Sequence, residues 1–281
     1  MPKVQAPAKL NLTLEVLRQR ADGFHEIRSV IQAINLCDTL TFQSSRKVTV
    51  KSTAPDWVPE ASLVSRAVSL LQEATGYSKG ALIEIDKRIP LVAGLGGDSS
   101  DAAATLLGLN RLWGLDLPQE KLLEMAMQLG SDVAFFLYGG TALAEGRGET
   151  VTPLPPLPQI WVLLVIPEIP PLPGKTGQLY ASLNASHYTD GQITQRLVEA
   201  LQAGGEVKPS FLFNTFENVA YDRFPELKAY RDHLTKLGIS DIHLAGSGPT
   251  LFTMLKDKSK AEDLYTRCRQ QGMEVYLVET G

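Results

Sequence analysis

The stretch from Pro90 to Ala104, PLVAGLGGDSSDAAA, carries the clearest chemical signal in the chain. Gly94, Gly96 and Gly97 let the backbone approach a ligand closely and take positive φ. Asp98, Ser99 and Ser100 follow, then a run whose apolar residues Ala102, Leu106, Leu109 and Trp113 recur at helical period. The first turn of a helix has N–H groups without intrahelical partners, and the macrodipole adds positive potential there. A glycine bend leading into a helix is therefore an anion site, and phosphate is the anion it suits. It is not a Walker loop, because no Gly-Lys-Ser/Thr closes it, nor a dinucleotide loop, because Ser99 stands at the third-glycine position. The competing reading is a plain glycine-rich turn between strand and helix.

Those residues need elements to hold them. Ala81 to Ile85 reads as the strand that delivers the chain to the bend. Upstream, residues 3–18 alternate as strands, Asp22-Gly23 marks a turn, and 27–36 and 39–42 read as two strands separated at 35–38. A short strand is expected at 48–51 and a helix at 61–74. Pro118 opens a further helix, buried along Leu122, Ala126 and Leu129 and closed by Gly130. Asp132 follows on a tight connection, where functional side chains often sit, although an aspartate there can equally cap a helix.

A strand at 141–145 precedes a proline-dense passage: Pro153, Pro155, Pro156 and Pro158 before a strand at 161–166, then Pro167, Pro170, Pro171 and Pro173. Such prolines stiffen a connection, so the boundary is placed here, giving domains 1–152 and 153–281; a surface loop within one domain is the alternative. Helices are expected near 176–182, 191–202, 214–222, 225–236 and 258–271, and strands near 241–245, 250–255 and 274–278. That order reads as α+β.

With 27 Lys plus Arg against 31 Asp plus Glu, the net charge is −4, which argues against sequence-independent binding to nucleic acid or membranes. Lys9, Lys87 and Arg88 are available as local positive charge for an anionic substrate. Cys37 and Cys268 match no disulfide or zinc spacing. The start, MPKVQAP, has no apolar signal core, and the longest aliphatic run, 161–166, is too short to span a bilayer. A cytoplasmic protein is expected.

The bend, with Ala6 to Leu12 (APAKLNL) near the start and Leu244 to Phe252 (LAGSGPTLF) near the end, resembles the three ordered motifs of the GHMP kinase superfamily. The segments Arg20 to Glu26 (RADGFHE) and Leu129 to Phe136 (LGSDVAFF) are similar to the branch that acts on a cytidine-diphosphate-linked polyol. The resemblance implies a two-domain α+β fold with its active site in the interdomain cleft. It implies transfer of the γ-phosphoryl of ATP, with Mg²⁺, to the 2-hydroxyl of 4-diphosphocytidyl-2-C-methyl-D-erythritol, in the non-mevalonate route to isoprenoids. It implies a monomer or weak homodimer.

The resemblance also assigns roles. Pro90, Gly94, Leu95, Gly96, Gly97, Asp98, Ser99 and Ser100 hold the nucleotide, with a serine hydroxyl available to the metal, whose ligands stay open. Asp132 takes the acceptor's proton, and Lys9 draws the attacking hydroxyl toward its alkoxide form. Phe24 and His25 recognise the base by stacking and by the donor and acceptor of the imidazole; core packing and a turn cap are the alternatives. Asn11 contacts the same substrate, and Thr176 and Tyr180 line its methylerythritol end. Gly246, Ser247, Gly248 and Thr250 form a second glycine turn that supports the phosphate loop.

In four places the chain departs from the branch, one of them the lead-in Pro171 to Lys175 before Thr176. Phe24 stands for a usual tyrosine and Ser62 for a frequent asparagine. Asp98 stands for a glycine; beside a triphosphate it would repel, face solvent, approach Mg²⁺ or cap a helix. Two rival readings remain, another small-molecule kinase of the superfamily and a non-catalytic nucleotide-binding protein on the same fold.

Overall fold

The computed structural model of the chain describes residues 1–170, 174–205 and 207–280. The elements run β1 (Lys3–Asn11), β2 (Thr13–Gln19), β3 (His25–Ser45), β4 (Thr49–Ser52), α1 (Leu63–Thr75), β5 (Gly80–Asp86), α2 (Gly97–Trp113), α3 (Gln119–Leu129), α4 (Val133–Tyr138), β6 (Thr141–Gly146), β7 (Thr150–Pro153) and β8 (Trp161–Ile166). They continue as α5 (Lys175–Ser182), α6 (Gln192–Gln202), β9 (Phe213–Asn214), α7 (Glu217–Arg223), α8 (Pro225–Lys236), β10 (His243–Leu244), β11 (Leu251–Leu255), α9 (Lys258–Gln270) and β12 (Glu274–Glu279). Among the described residues no helix is long and apolar enough to cross a membrane.

The chain divides into two compact units. The first comprises Met1–Lys9, Leu36–Val92 and Gly96–Gly139. In it the later part of β3 pairs antiparallel with β5, from Thr39↔Asp86 to Ser45↔Gly80, and β4 pairs parallel with β5. Helices α1, α2, α3 and α4 pack together. Leu40, Phe42, Ile83 and Ile85 on the strands and Val64, Leu71, Leu106 and Leu109 on the helices are all buried. A β-carbon on Gly108 would overlap the Phe42 ring, so α2 reaches its place on the strand only because that residue is glycine.

The second unit holds Leu10–Asn35, Ala93–Leu95 and the chain from Gly140 onward. The early part of β3 pairs antiparallel with β2 and β6, β6 pairs with β7, and β2 takes β9 as a parallel neighbour. A separate four-stranded sheet has the order β10-β11-β8-β12. Its core joins Leu163, Val165 and Leu251 of that sheet to Leu179, Leu227 and Leu264 of the helices.

Two sequence expectations are corrected here. The strands expected at 27–36 and 39–42 are one strand, β3, because its polar residues find partners without leaving it. Asn35 accepts the Glu279 N–H at 2.9 Å, and Asp38 accepts the N–H groups of Arg88 and Ile89. The helix expected from 214 begins at Glu217, because Phe213 and Asn214 are taken as β9. Helix α4 has no counterpart in the sequence reading; its residues, VAFFLY, are apolar nearly throughout and show no period. Of the proline passage, Pro171 and Pro173 lie outside the described residues.

Candidate active site

In the first unit the bend runs straight into α2. Gly96 takes φ +74°, and the Ser100 N–H closes the first helical bond on the Gly96 carbonyl at 2.9 Å. That leaves the N–H groups of Gly97, Asp98 and Ser99 outside the helical ladder, as an anion site requires. The Ser100 Oγ is buried and has no partner among the described residues. Earlier in the bend Val92, a β-branched residue 78 % exposed, is held at φ +55°. That conformation is costly for valine and is found mostly where function fixes the backbone.

Lys9 and Asp132 meet. The Lys9 Nζ lies 3.5 Å from the Asp132 Oδ2, with the lysine residue 5 % exposed and the Asp132 side chain 37 % exposed. Asp132 stands at the N-cap of α4 but makes no cap hydrogen bond, so the capping alternative is not what its carboxylate does. Its backbone is set by a turn that the Val133 N–H closes on the Gly130 carbonyl at 3.2 Å. The bend comes up against this pair: a β-carbon on Gly96 would lie 3.0 Å from the Lys9 Cγ and 2.9 Å from the Phe136 ring. Acid, amine and phosphate-type bend thus converge within one unit.

Two other charged residues at the bend are committed elsewhere. Asp98 Oδ2 accepts the Leu63 N–H at 3.0 Å, so it caps α1, whose own N-cap Ser62 accepts from Ser65. Lys87, expected as positive charge for the substrate, is instead buried on Asp38 and Asp101, the latter at 2.8 Å. Burial opposes the Lys87 charge, but the two carboxylates outweigh it and raise its pKa. Burial, with Asp38 alongside, holds the Asp101 carboxyl well above the usual carboxylate range despite Lys87. Arg88 keeps an exposed side chain beside Asp86.

In the second unit the bend's residues Ala93 to Leu95 meet the second glycine turn. A β-carbon on Gly94, at φ +84°, would lie 2.7 Å from the Gly248 oxygen, and the Thr250 N–H donates to the Ala93 carbonyl at 3.3 Å. Gly248 and Thr250 of that turn therefore support the bend. The turn is braced by Asn214, which donates to the Leu244 and Gly246 carbonyls at 2.8 and 2.7 Å, and by Thr176, whose Oγ1 is 2.8 Å from the Ser247 Oγ.

The base-reading candidates also group here. His25 stacks on Tyr180 with ring centroids 4.6 Å apart and 20° between planes, and Tyr188 meets it edge-on at 6.1 Å. Tyr180 thus stands beside His25, one turn of α5 from Thr176. Phe24 is 54 % exposed, so it is not core; the Arg147 guanidinium lies 4.7 Å over its ring. Burial lowers the His25 pKa, favouring the neutral imidazole. Asn11 is buried and donates to the Ser29 Oγ at 2.8 Å. Tyr188, Arg147 and Asn214 were missed by the sequence reading; an isolated tyrosine, arginine or asparagine carries no spacing signal.

The chain is similar to known proteins over nearly its whole length. The model for "GHMP kinases N terminal domain" matches residues 62–140, and that for "GHMP kinases C terminal" matches residues 195–273. A 4-diphosphocytidyl-2-C-methyl-D-erythritol kinase of Dehalococcoides mccartyi is 52 % identical over 98 % of this chain and 96 % of its own length. A protein of the same name from Listeria welshimeri is 38 % identical over 98 % and 94 %. Among solved structures, a 4-(cytidine 5'-diphospho)-2C-methyl-D-erythritol kinase superposes with a TM-score of 0.83 at 32 % identity, covering 100 % of both chains. A homoserine kinase from Cytophaga hutchinsonii, 19 % identical with a TM-score of 0.76 over 99 % of this chain and 94 % of its own, shares the fold. The chain belongs to the GHMP kinase family, among the 4-diphosphocytidyl-2-C-methyl-D-erythritol kinases.

Proposed function

We propose that the protein transfers the γ-phosphoryl group of ATP to the 2-hydroxyl of 4-diphosphocytidyl-2-C-methyl-D-erythritol, giving the 2-phosphate and ADP. The observation that carries the chemistry is the Lys9–Asp132 pair set against Gly96 of the bend. Phosphoryl transfer asks a protein mainly for alignment, charge neutralisation and a place for the hydroxyl proton. The backbone N–H groups from Gly97 to Ser99 hold the phosphates. Asp132 accepts the proton of the attacking hydroxyl, and the Lys9 ammonium stabilises the charge that develops on that oxygen. The cytosine is read by Phe24, His25 and Tyr180: aromatic faces stack on it, and the neutral imidazole offers one donor and one acceptor. Asn11 and Thr176 supply further polar contacts to the acceptor.

Mg²⁺ fits this donor set. Among the described residues no group of three or more His, Cys, Asp or Glu side chains could hold a metal, and Ser100 has a buried hydroxyl to spare. An ion that keeps its waters and bridges phosphates needs few protein ligands, so the Ser99 and Ser100 hydroxyls are the groups that would hold it. Once bound it neutralises phosphate charge. The test is incubation with ATP, Mg²⁺ and a panel of acceptors that includes homoserine, mevalonate and the cytidine-linked erythritol, with mass detection of products. A phosphate added to the cytidine-linked acceptor alone is the expected result, and transfer to another acceptor in its place refutes the assignment.

A further inference from the structure

Two turns of the second unit meet beside His25. One joins β2 to β3 and carries Phe24; the other joins β6 to β7 and carries Arg147. Each is pinned by a carboxylate of its own. The Phe24 N–H donates to the Asp22 Oδ1 at 3.1 Å, and the Arg147 N–H donates to the Glu149 carboxylate. Both side chains stay exposed, and the Arg147 guanidinium lies 4.7 Å over the Phe24 ring. An exposed cation–π contact adds little to stability, so folding alone does not account for holding a ring and a cation together at the surface. The neighbouring guanidinium groups are taken up: Arg20 lies on Asp22 and Glu26 at 3.2 and 2.9 Å, and Arg28 on Glu145 and Gln195 at 3.1 and 2.8 Å. Arg18 reaches Glu26 at 3.8 Å. Arg147 has Glu149, with its Nε 3.7 Å from the Oε1, so among the described residues its side chain makes no hydrogen bond and its fork of donors is open.

We propose that Arg147 binds the diphosphate of the cytidine-linked acceptor, so that the two phosphates, and not the nucleoside alone, are recognised in the second unit. The inference rests on the reading above that Phe24 and His25 take the base, and it adds a residue outside the motifs. A base lying on Phe24 carries its 5'-diphosphate past the rim of the ring, within the sweep of a side chain as long as arginine. A guanidinium suits phosphate, because its planar fork donates two parallel N–H bonds and its charge strengthens both. It is also weakly hydrated and stacks on aromatic faces, so Phe24 keeps it beside the site until the anion arrives. Charge points the same way. Asp22, Glu26, Glu145 and Glu149 lie on or beside the two turns, against Arg18, Arg20, Arg28 and Arg147. Without Arg147 a diphosphate would approach four carboxylates balanced by three guanidinium groups, and like charges repel.

Arg147→Gln removes the charge from an exposed position, so the fold should stand and Tm should hold within about 1–2 °C. The probes are cytidine and cytidine 5'-diphosphate, each measured as a competitive inhibitor against the cytidine-linked acceptor at saturating ATP and Mg²⁺. The wild type should hold the diphosphate at least about tenfold more tightly than cytidine, the scale of one charge-assisted hydrogen bond. In Arg147→Gln the inhibition constant of the diphosphate should rise about tenfold while that of cytidine holds, and the acceptor KM should rise by a similar factor. Equal weakening of both probes would make Arg147 a brace for Phe24 and overturns the proposal, as does an unchanged constant for the diphosphate. Equal affinity of the wild type for the two probes overturns it without any variant. If neither probe competes with the acceptor in the wild type, the placing of the base on Phe24 and His25 is what fails, and the proposal falls with it.

Discussion

Asp132→Asn isolates the central claim, because the structure says what the pair does for stability and what is left for chemistry. Charges 3.5 Å apart attract by about 5 kcal/mol at an effective dielectric of ~20 and by about 1 kcal/mol in water. The Asp132 side chain is 37 % exposed, so solvent screening puts the pair near the lower figure. Losing about 1 kcal/mol in a chain of this size lowers Tm by roughly 2–4 °C at most. Removing a general base costs about 10²–10⁴ in rate, or roughly 3–5 kcal/mol of barrier. The expected variant is therefore folded, binds ATP and acceptor with near-normal KM, and has lost at least a hundredfold in kcat. The assay is initial-rate ADP release with a thermal melt of the same sample. Lys9→Met should show a comparable loss, and the double variant should be little worse than the poorer single one, because groups that act as a unit are not additive. A kcat for Asp132→Asn within about tenfold of wild type, alongside an intact fold, removes Asp132 from the mechanism.

Two further perturbations test neighbouring parts. The His25 pKa lies below the ordinary 6.5 and neutral imidazole is the reading form, so acceptor KM should stay level as pH falls through 6.5 and rise only below it; a rise centred at or above 6.5 contradicts the assignment. Asp98→Asn keeps an acceptor for the Leu63 N–H and removes a negative charge beside the bend, so Tm should hold within about 1–2 °C while ATP KM falls a few-fold; a higher KM would mean that the carboxylate assists the nucleotide.

The parts of the site that the sequence made legible are those encoded by local pattern. The bend and the helix after it follow from glycine spacing and an apolar period; that α2 starts as early as Gly97 does not. Strand β8 followed from a short aliphatic run between prolines. What could not be read depended on partners far away in the chain. Lys87 looked like free positive charge beside Arg88, but Asp38, 49 residues earlier, claims it. Asn35 and Asp38 looked like a strand break because nothing local shows that Glu279 and Lys87 will satisfy them. That β3 brings His25 onto Tyr180 is likewise invisible in the sequence, the two being far apart in the chain. Asp98 had four plausible fates from sequence, and only the position of Leu63 selects among them.

How a chain of net charge −4 attracts a triphosphate follows from what each buried lysine faces. Lys87 faces two carboxylates, one of which burial keeps protonated by preference, so that cluster presents no excess positive charge to the bend. Lys9 faces Asp132, the group assigned to take a proton during the reaction, so its charge is offset in the resting enzyme and becomes uncompensated as the hydroxyl gives up its proton. On the proposed mechanism, ground-state attraction falls to backbone N–H groups and the helix dipole, while the potential from Lys9 grows during the chemical step. An interaction that strengthens on the way to the transition state raises kcat without holding the product tightly. That is what pairing Lys9 with the base achieves.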